Sequence, residues 1–139
     1  MSILFHSTHP TFIIKGKLKV KKWIFNEIVS HTFTVGEINI IFCTDDYLLE
    51  INKKYLKHDF FTDIVTFNYN EGTHISGDLY LSIERIFENS KSFSVEFEKE
   101  LHRVIIHGIL HLLGYNDDTK EAKEIIHLLE NSSLERFPQ

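Results

Sequence analysis

The sequence predicts an α+β fold: a small mixed β-sheet packed with helices, with a metal-binding helix near the C-terminus. Three observations carry this reading. Short Ile- and Val-rich segments are interspersed with longer segments of helical period, an order that suits a small mixed sheet covered by helices. The length, 139 residues, fits one domain, residues 1–139. The hydrophobic fraction is 42% with twelve Phe, enough for one core built on aromatic packing.

Taken in order, residues 3–6 read as a short first strand. Residues 17–33 read as a helix with Leu18, Trp23, Ile24 and Ile28 on or near its apolar face. Residues 37–43 form an Ile-rich strand entered through Gly36. Thr44 is a good N-cap, and Asp45 and Asp46 suit the positive first turn of a helix running to about residue 56. Residues 64–69 and 77–81 read as strands on either side of the turn signal Asn70-Glu71-Gly72. A short helix over 83–89 follows. Ser94 is expected to cap the next helix, which continues through Leu101, Val104, Ile105, Leu110 and Leu112 to Gly114. Thr119 caps a last helix carrying Ile125, Ile126, Leu128 and Leu129.

Composition excludes several classes. Eight Gly and Pro in all argue against a disordered or low-complexity chain. The single cysteine, Cys43, cannot form an internal disulfide, which points to a reducing, cytoplasmic setting. No segment approaches the roughly 20 apolar residues of a membrane span. The net charge of −5 is a poor global match to a polyanion, yet Lys15, Lys17, Lys19, Lys21 and Lys22 form a run with no acid between them. That run reads either as a solvated helix face or as a local phosphate-binding surface.

The densest chemistry lies at His107-Gly108-Ile109-Leu110-His111, inside the most apolar helix. Residues four apart share a helical face, so both imidazoles can converge on one point. Gly114 ends the helix by taking the left-handed conformation, and the chain turns back through Tyr115-Asn116-Asp117-Asp118. Asp117, six residues after His111, can then supply a third ligand, leaving a fourth position open as in catalytic zinc sites. The competing reading is two core histidines satisfied by neighbours. Gly108 stands where the H-E-x-x-H metalloprotease pattern carries its general base, so that mechanism lacks its base. Zinc here could still lower the pKa of bound water to about 7. His102 faces elsewhere, and His6, His9, His31, His74 and His127 read as surface or structural residues.

The run His107 to Tyr115 resembles the H-G-x-L-H-L-x-G-Y-D-H pattern of the YbeY family of bacterial rRNA maturation endoribonucleases. Two further segments match in order. Residues 52–67, with Asn52, Tyr55, Asp59, Thr62, Asp63, Val65 and Phe67, are similar to N-x-x-[YF]-R-x-x-D-x-x-T-[DN]-V-L-[ST]-F. Residues 77–82 are similar to G-D-I-x-I-S. The resemblance implies a zinc-dependent endoribonuclease cutting single-stranded RNA in rRNA maturation and ribosome quality control. Its partners would be rRNA and the ribosome or a small-subunit precursor, and it would hold one Zn2+ per chain.

Two positions depart from that pattern. Asp117 stands at the family's third histidine, with Asn116 before it, so the ligand set becomes His107, His111 and Asp117. Leu56 stands at the family's arginine; Lys53, Lys57 or His58 are the nearby groups that could substitute, without arginine's bidentate fork. Lys19, Lys21 and Lys22, with Lys53 and Lys57, are the candidate RNA contacts. Asp63 and Asp78 read as turn and capping residues before acid–base groups. Two other functions stay open: a metal-dependent hydrolase of a small molecule or peptide, and a ribosome-associated binding factor with a structural metal.

Overall fold

The computed structural model describes residues 2–138. Its elements run β1 (Ser2–Ser7), α1 (Lys17–Ser30), β2 (Thr34–Cys43), α2 (Asp45–Leu56), β3 (Ile64–Asn68), β4 (His74–Ser82), α3 (Ile83–Ser92), α4 (Phe97–Leu112) and α5 (Lys120–Glu135). Four strands form one mixed sheet in the order β1-β2-β4-β3. β1, β2 and β4 are parallel, and β3 runs antiparallel to β4 at the edge. The fold is the α+β arrangement expected from the sequence.

Alternation along the strands divides the core. Ile38, Ile40 and Phe42 of β2, with Leu79 and Leu81 of β4, join the main cluster with α1 and α4. On the other face Cys43, Leu48 and Val65 form a smaller cluster beneath α2, joined by Ile51, Phe67 and Tyr80. Cys43 is fully buried, and burial pushes its thiol up to about 12, so it behaves as a small apolar residue.

Several sequence expectations shift. Val20, Trp23, Ile24, Glu27 and Ile28 form the buried stripe of α1, while Leu18 is 80% exposed. The stripe admits Glu27 because Arg136 donates two hydrogen bonds to it, at 2.9 and 2.7 Å. In α5, Ile126, Glu130 and Ser133 face inward, and Ile125 and Leu128 are exposed. Ser94 does not cap α4. It takes a positive φ of 54° in the turn that ends α3, and Glu96 is the N-cap, without a side-chain hydrogen bond. Thr44 and Thr119 do cap their helices, accepting from Tyr47 N and Ala122 N at 3.1 and 3.0 Å.

Candidate metal centre

α4 is held against β3 and β4 by contacts that only small residues allow. A Cβ on Gly108 would lie 2.6 Å from both Ile64 Cδ1 and Leu79 Cδ2. One turn on, Leu112 packs over Gly77, where a Cβ would lie 2.8 Å from Leu112 Cδ2. The Asn70 side chain, in the β3–β4 turn, donates to Leu112 O at 2.7 Å. Gly108 is therefore a point of close helix–sheet approach, and a longer side chain at this position, such as the glutamate of a metalloprotease helix, would clash with Ile64 and Leu79.

The end of α4 is a Schellman turn. Gly114, at φ 105°, donates to His111 O at 3.0 Å, and Tyr115 N donates to Leu110 O at 3.1 Å. This reversal brings Asp117 back over the helix. His107 Nε2 and His111 Nε2 lie 2.9 Å apart, and Asp117 Oδ2 lies 3.6 and 3.7 Å from them. Tetrahedral ligands at about 2.0–2.1 Å from zinc sit about 3.3–3.4 Å from one another. The three donors are thus positioned to hold a metal ion. The donor set, two imidazoles and one carboxylate, is one that zinc accepts.

Glu130, which the sequence reading passed over, orients the first ligand. His107 Nδ1 donates to Glu130 Oε2 at 2.6 Å, and Arg103 Nη1 donates to Glu130 Oε1 at 3.0 Å. Nδ1 occupied in this way leaves Nε2 to face the metal position, the usual role of an outer-shell carboxylate. Burial disfavours the charged form of His107, but Glu130, then Asp117 and Asp63, outweigh it and raise its pKa. Burial and the neighbouring His107 lower that of His111.

Two hollows meet at the ligands. One runs along the open edge of β3, lined by Leu56, Thr62, Ile64, Thr66, Asn68, His107 and His111. The other lies between α4 and α5, lined by Asp63, Glu100, Arg103, Lys123, His127 and Glu130, with His107 and Asp117 at its mouth.

The remaining candidates sort by position. Leu56 lines the β3 hollow, so an apolar side chain stands where the family pattern has arginine. Lys53, in the last turn of α2, pairs with Glu50 and Asp59 at 3.7 and 4.0 Å. Lys57 is the left-handed C-cap of α2, at φ 57°. Asn52 anchors this corner: its O accepts from His58 N at 3.1 Å and its Nδ2 donates to Phe60 O at 3.0 Å. Lys21 and Lys22 flank β1 at the opposite edge of the sheet, where Lys21 Nζ lies 6.0 Å from the Phe5 ring. β1 and β3 are three strand spacings, roughly 14 Å, apart. Lys19 belongs to the same helix.

Asp78 lies on the sheet face away from α4, accepting from Asn39 Nδ2 at 3.1 Å. Asp63 faces the metal side; burial raises its pKa, opposed by His107 and by the N–H groups of Asp63 and Ile64. His102 is structural, stacked 4.2 Å from Phe137. His127 is exposed, in keeping with its reading as a surface or structural residue, and borders the second hollow 3.9 Å from Glu130.

A family model described as Endoribonuclease YbeY matches residues 14–138. This chain belongs to the endoribonuclease YbeY family. A protein named Endoribonuclease YbeY from Parabacteroides distasonis is 44% identical over 139 residues, covering 100% of this chain and 98% of that one. Another so named, from Bacteroides fragilis, is 47% identical over 118 residues, 85% of each chain. The solution structure of TM1509 from Thermotoga maritima is similar at a TM-score of 0.66 and 28% identity, over 96% of this chain and 87% of that one. Within the YbeY family, this chain places a carboxylate and two imidazoles at one point and an apolar residue in the adjoining hollow. No helix among the described residues is long and apolar enough to cross a membrane.

Proposed function

We propose that this chain is a zinc-dependent endoribonuclease that cuts single-stranded RNA in rRNA maturation and ribosome quality control. It would act in the cytoplasm, on rRNA within a small-subunit precursor. The observation that carries this reading is the convergence of His107, His111 and Asp117 donor atoms at 2.9–3.7 Å, open to solvent beside β3. Membership of a family whose relatives are named endoribonucleases supplies the reaction class.

When bound, zinc supplies Lewis acidity at the phosphodiester and at water. The chain does the rest. Glu130 holds His107 so that Nε2 points outward, and the Schellman turn delivers Asp117. Edge strand β3 forms a wall along which a single strand can lie. Lys53 and Lys57, at the α2 end of that wall, are the nearer candidates for backbone phosphates. Lys19, Lys21 and Lys22 would reach only a strand that continues past the sheet.

One observation favours a second reading. The β3 hollow is lined by no Lys or Arg among the described residues, which suits a hydrolase of a small molecule or peptide. The experiment is cleavage of single-stranded RNA by the zinc-loaded chain, with and without chelator, across a salt series. Cleavage lost on chelation and restored by zinc supports the endoribonuclease. RNA bound but never cleaved supports a binding factor with a structural metal. Neither binding nor cleavage supports the small-molecule reading. If three or four lysines engage phosphates, affinity falls by roughly two log units per tenfold rise in salt. Joint replacement of Lys19, Lys21 and Lys22 by Ala flattens that slope only if α1 takes part.

A further inference from the structure

The hollow between α4 and α5 holds a carboxylate that takes no hydrogen bond or ion pair among the described residues. That carboxylate, Glu100, is only 5% exposed. Three of its polar neighbours are engaged elsewhere. Glu130 takes Arg103 and His107; Arg103 Nη2 donates to Asn131 Oδ1 at 2.8 Å; Asp63 accepts backbone N–H groups. Its oxygens open onto the hollow, where no donor among the described residues meets them, and burial raises its pKa against the opposing charge of Arg103. The hollow is therefore shaped for a ligand that brings N–H donors.

Size and placement narrow the ligand. The hollow is about 270 Å³, just under the roughly 300–1,000 Å³ of pockets for drug-sized ligands, and suits one flat ring system. Val104 and Ile126 supply apolar walls. Glu100, Val104, His107 and His111 follow one another along one face of α4, so Glu100 sits two turns, about 10.5 Å along the axis, from the first metal ligand. That separation matches the reach from a phosphate at the metal to the Watson–Crick edge of an adjoining nucleotide. A second cation fits less well: among the described residues the donors that converge are His107, His111 and Asp117, without Glu100 or Asp63.

We infer that the α4–α5 hollow is a base-recognition subsite in which Glu100 reads the donor edge of a guanine next to the scissile phosphate. This rests on the endoribonuclease reading. An ionised carboxylate only accepts. Guanine presents N1–H and N2–H side by side, matching both oxygens. Adenine and cytosine present one amino group beside a ring acceptor, and uracil one N–H between two carbonyls. Lys123, at the rim, is placed to meet guanine O6. Single-stranded RNA is commonly read in this way, by an unstacked base offered edge-on.

The test uses the full zinc-loaded chain and two readouts. Titration with the four nucleoside 5′-monophosphates is expected to give roughly tenfold tighter binding of the guanosine than of the uridine nucleotide. Glu100→Gln removes that difference while zinc content stays unchanged. Equal affinities, or a guanine preference that persists in both Glu100→Gln and Glu100→Ala, overturn the subsite. In the second readout, single-stranded RNAs carrying one guanine at a varied position are cleaved beside it by the parent chain and without preference by Glu100→Gln. Cleavage by the parent chain without base preference overturns the subsite and leaves the endoribonuclease reading standing. Guanine-selective binding with no cleavage of any RNA overturns the endoribonuclease reading and keeps the guanine site.

Discussion

Removing the Glu130 carboxylate is expected to weaken zinc binding far more than it weakens the fold. Glu130 is 6% exposed and receives two donors, His107 Nδ1 at 2.6 Å and Arg103 Nη1 at 3.0 Å. Glu130→Leu leaves both without an acceptor and frees the His107 ring to turn. Glu130→Gln keeps one oxygen for two donors and turns an NH2 group towards the other. Outer-shell carboxylates are typically worth 10–100-fold in metal affinity, or about 1.4–2.7 kcal/mol. The short bond and the burial put Glu130→Leu near the upper end and Glu130→Gln near the lower. Competition against a fluorescent zinc chelator measures the affinity, and thermal melting in excess chelator measures the fold separately. An unchanged zinc affinity alongside a lowered melting temperature would refute the argument, leaving Glu130 as a core partner of Arg103 alone.

Asp117→Ala is expected to weaken zinc binding by more than the roughly 100-fold attached to an outer-shell group, Asp117→His to retain it, and Asp118→Ala to leave it unchanged; elemental analysis after dialysis decides, and zinc loss in Asp118→Ala alone would identify the wrong carboxylate. Gly108→Ala gains about 1 kcal/mol of helix propensity but drives a methyl against Ile64 and the fully buried Leu79, an overpacking cost of about 1–3 kcal/mol. A net loss of about 1 kcal/mol lowers the melting temperature of the zinc-free protein by a few degrees, and a rise would count against the close approach. Burial lowers His102 from 6.5 to about 4, so below pH 6.5 the unfolded chain takes up a proton that the folded one refuses. Stability present above pH 6.5 is therefore lost as pH falls towards 4, by at most about 3.4 kcal/mol. His102→Phe, measured by denaturant unfolding in chelator, should flatten that slope, and an unaltered slope would remove His102 as its source.

Most of the fold that depends on local chemistry was readable from the sequence, the Ser94 cap excepted, and the parts that depend on distant partners were not. The Thr44 and Thr119 caps, the Gly114 stop and the four-residue histidine spacing each act within one or two turns, and each stands as expected. The inward stripes of α1 and α5 were read only in part, with Trp23, Ile24, Ile28 and Ile126 inside as expected, because each also contains a glutamate. Glu27 is buried only because Arg136, 109 positions later, reaches back to it. Glu130 is buried only because Arg103 and His107 meet it from α4. A search for apolar stripes discards both residues and promotes Leu18, Ile125 and Leu128, which lie outside. Ile126-x-x-x-Glu130-x-x-Ser133 is nonetheless a helical-period stripe, and its lone acid was the available signal. Asn70, clamping the end of α4 to the β3–β4 turn, left no local trace.

The division of ligands between helix and turn also bears on rates. His107 and His111 ride on a helix packed along its length, whereas Asp117 hangs from a short reversal rooted by the bonds of Gly114 and Tyr115. Release of a bound ion would therefore need only that one carboxylate to swing outward, without unwinding α4. Affinity would then draw on helix and reversal together, whereas the rate of release would answer mainly to residues 115–118. Stiffening that reversal would slow exchange while leaving the two imidazoles as they are.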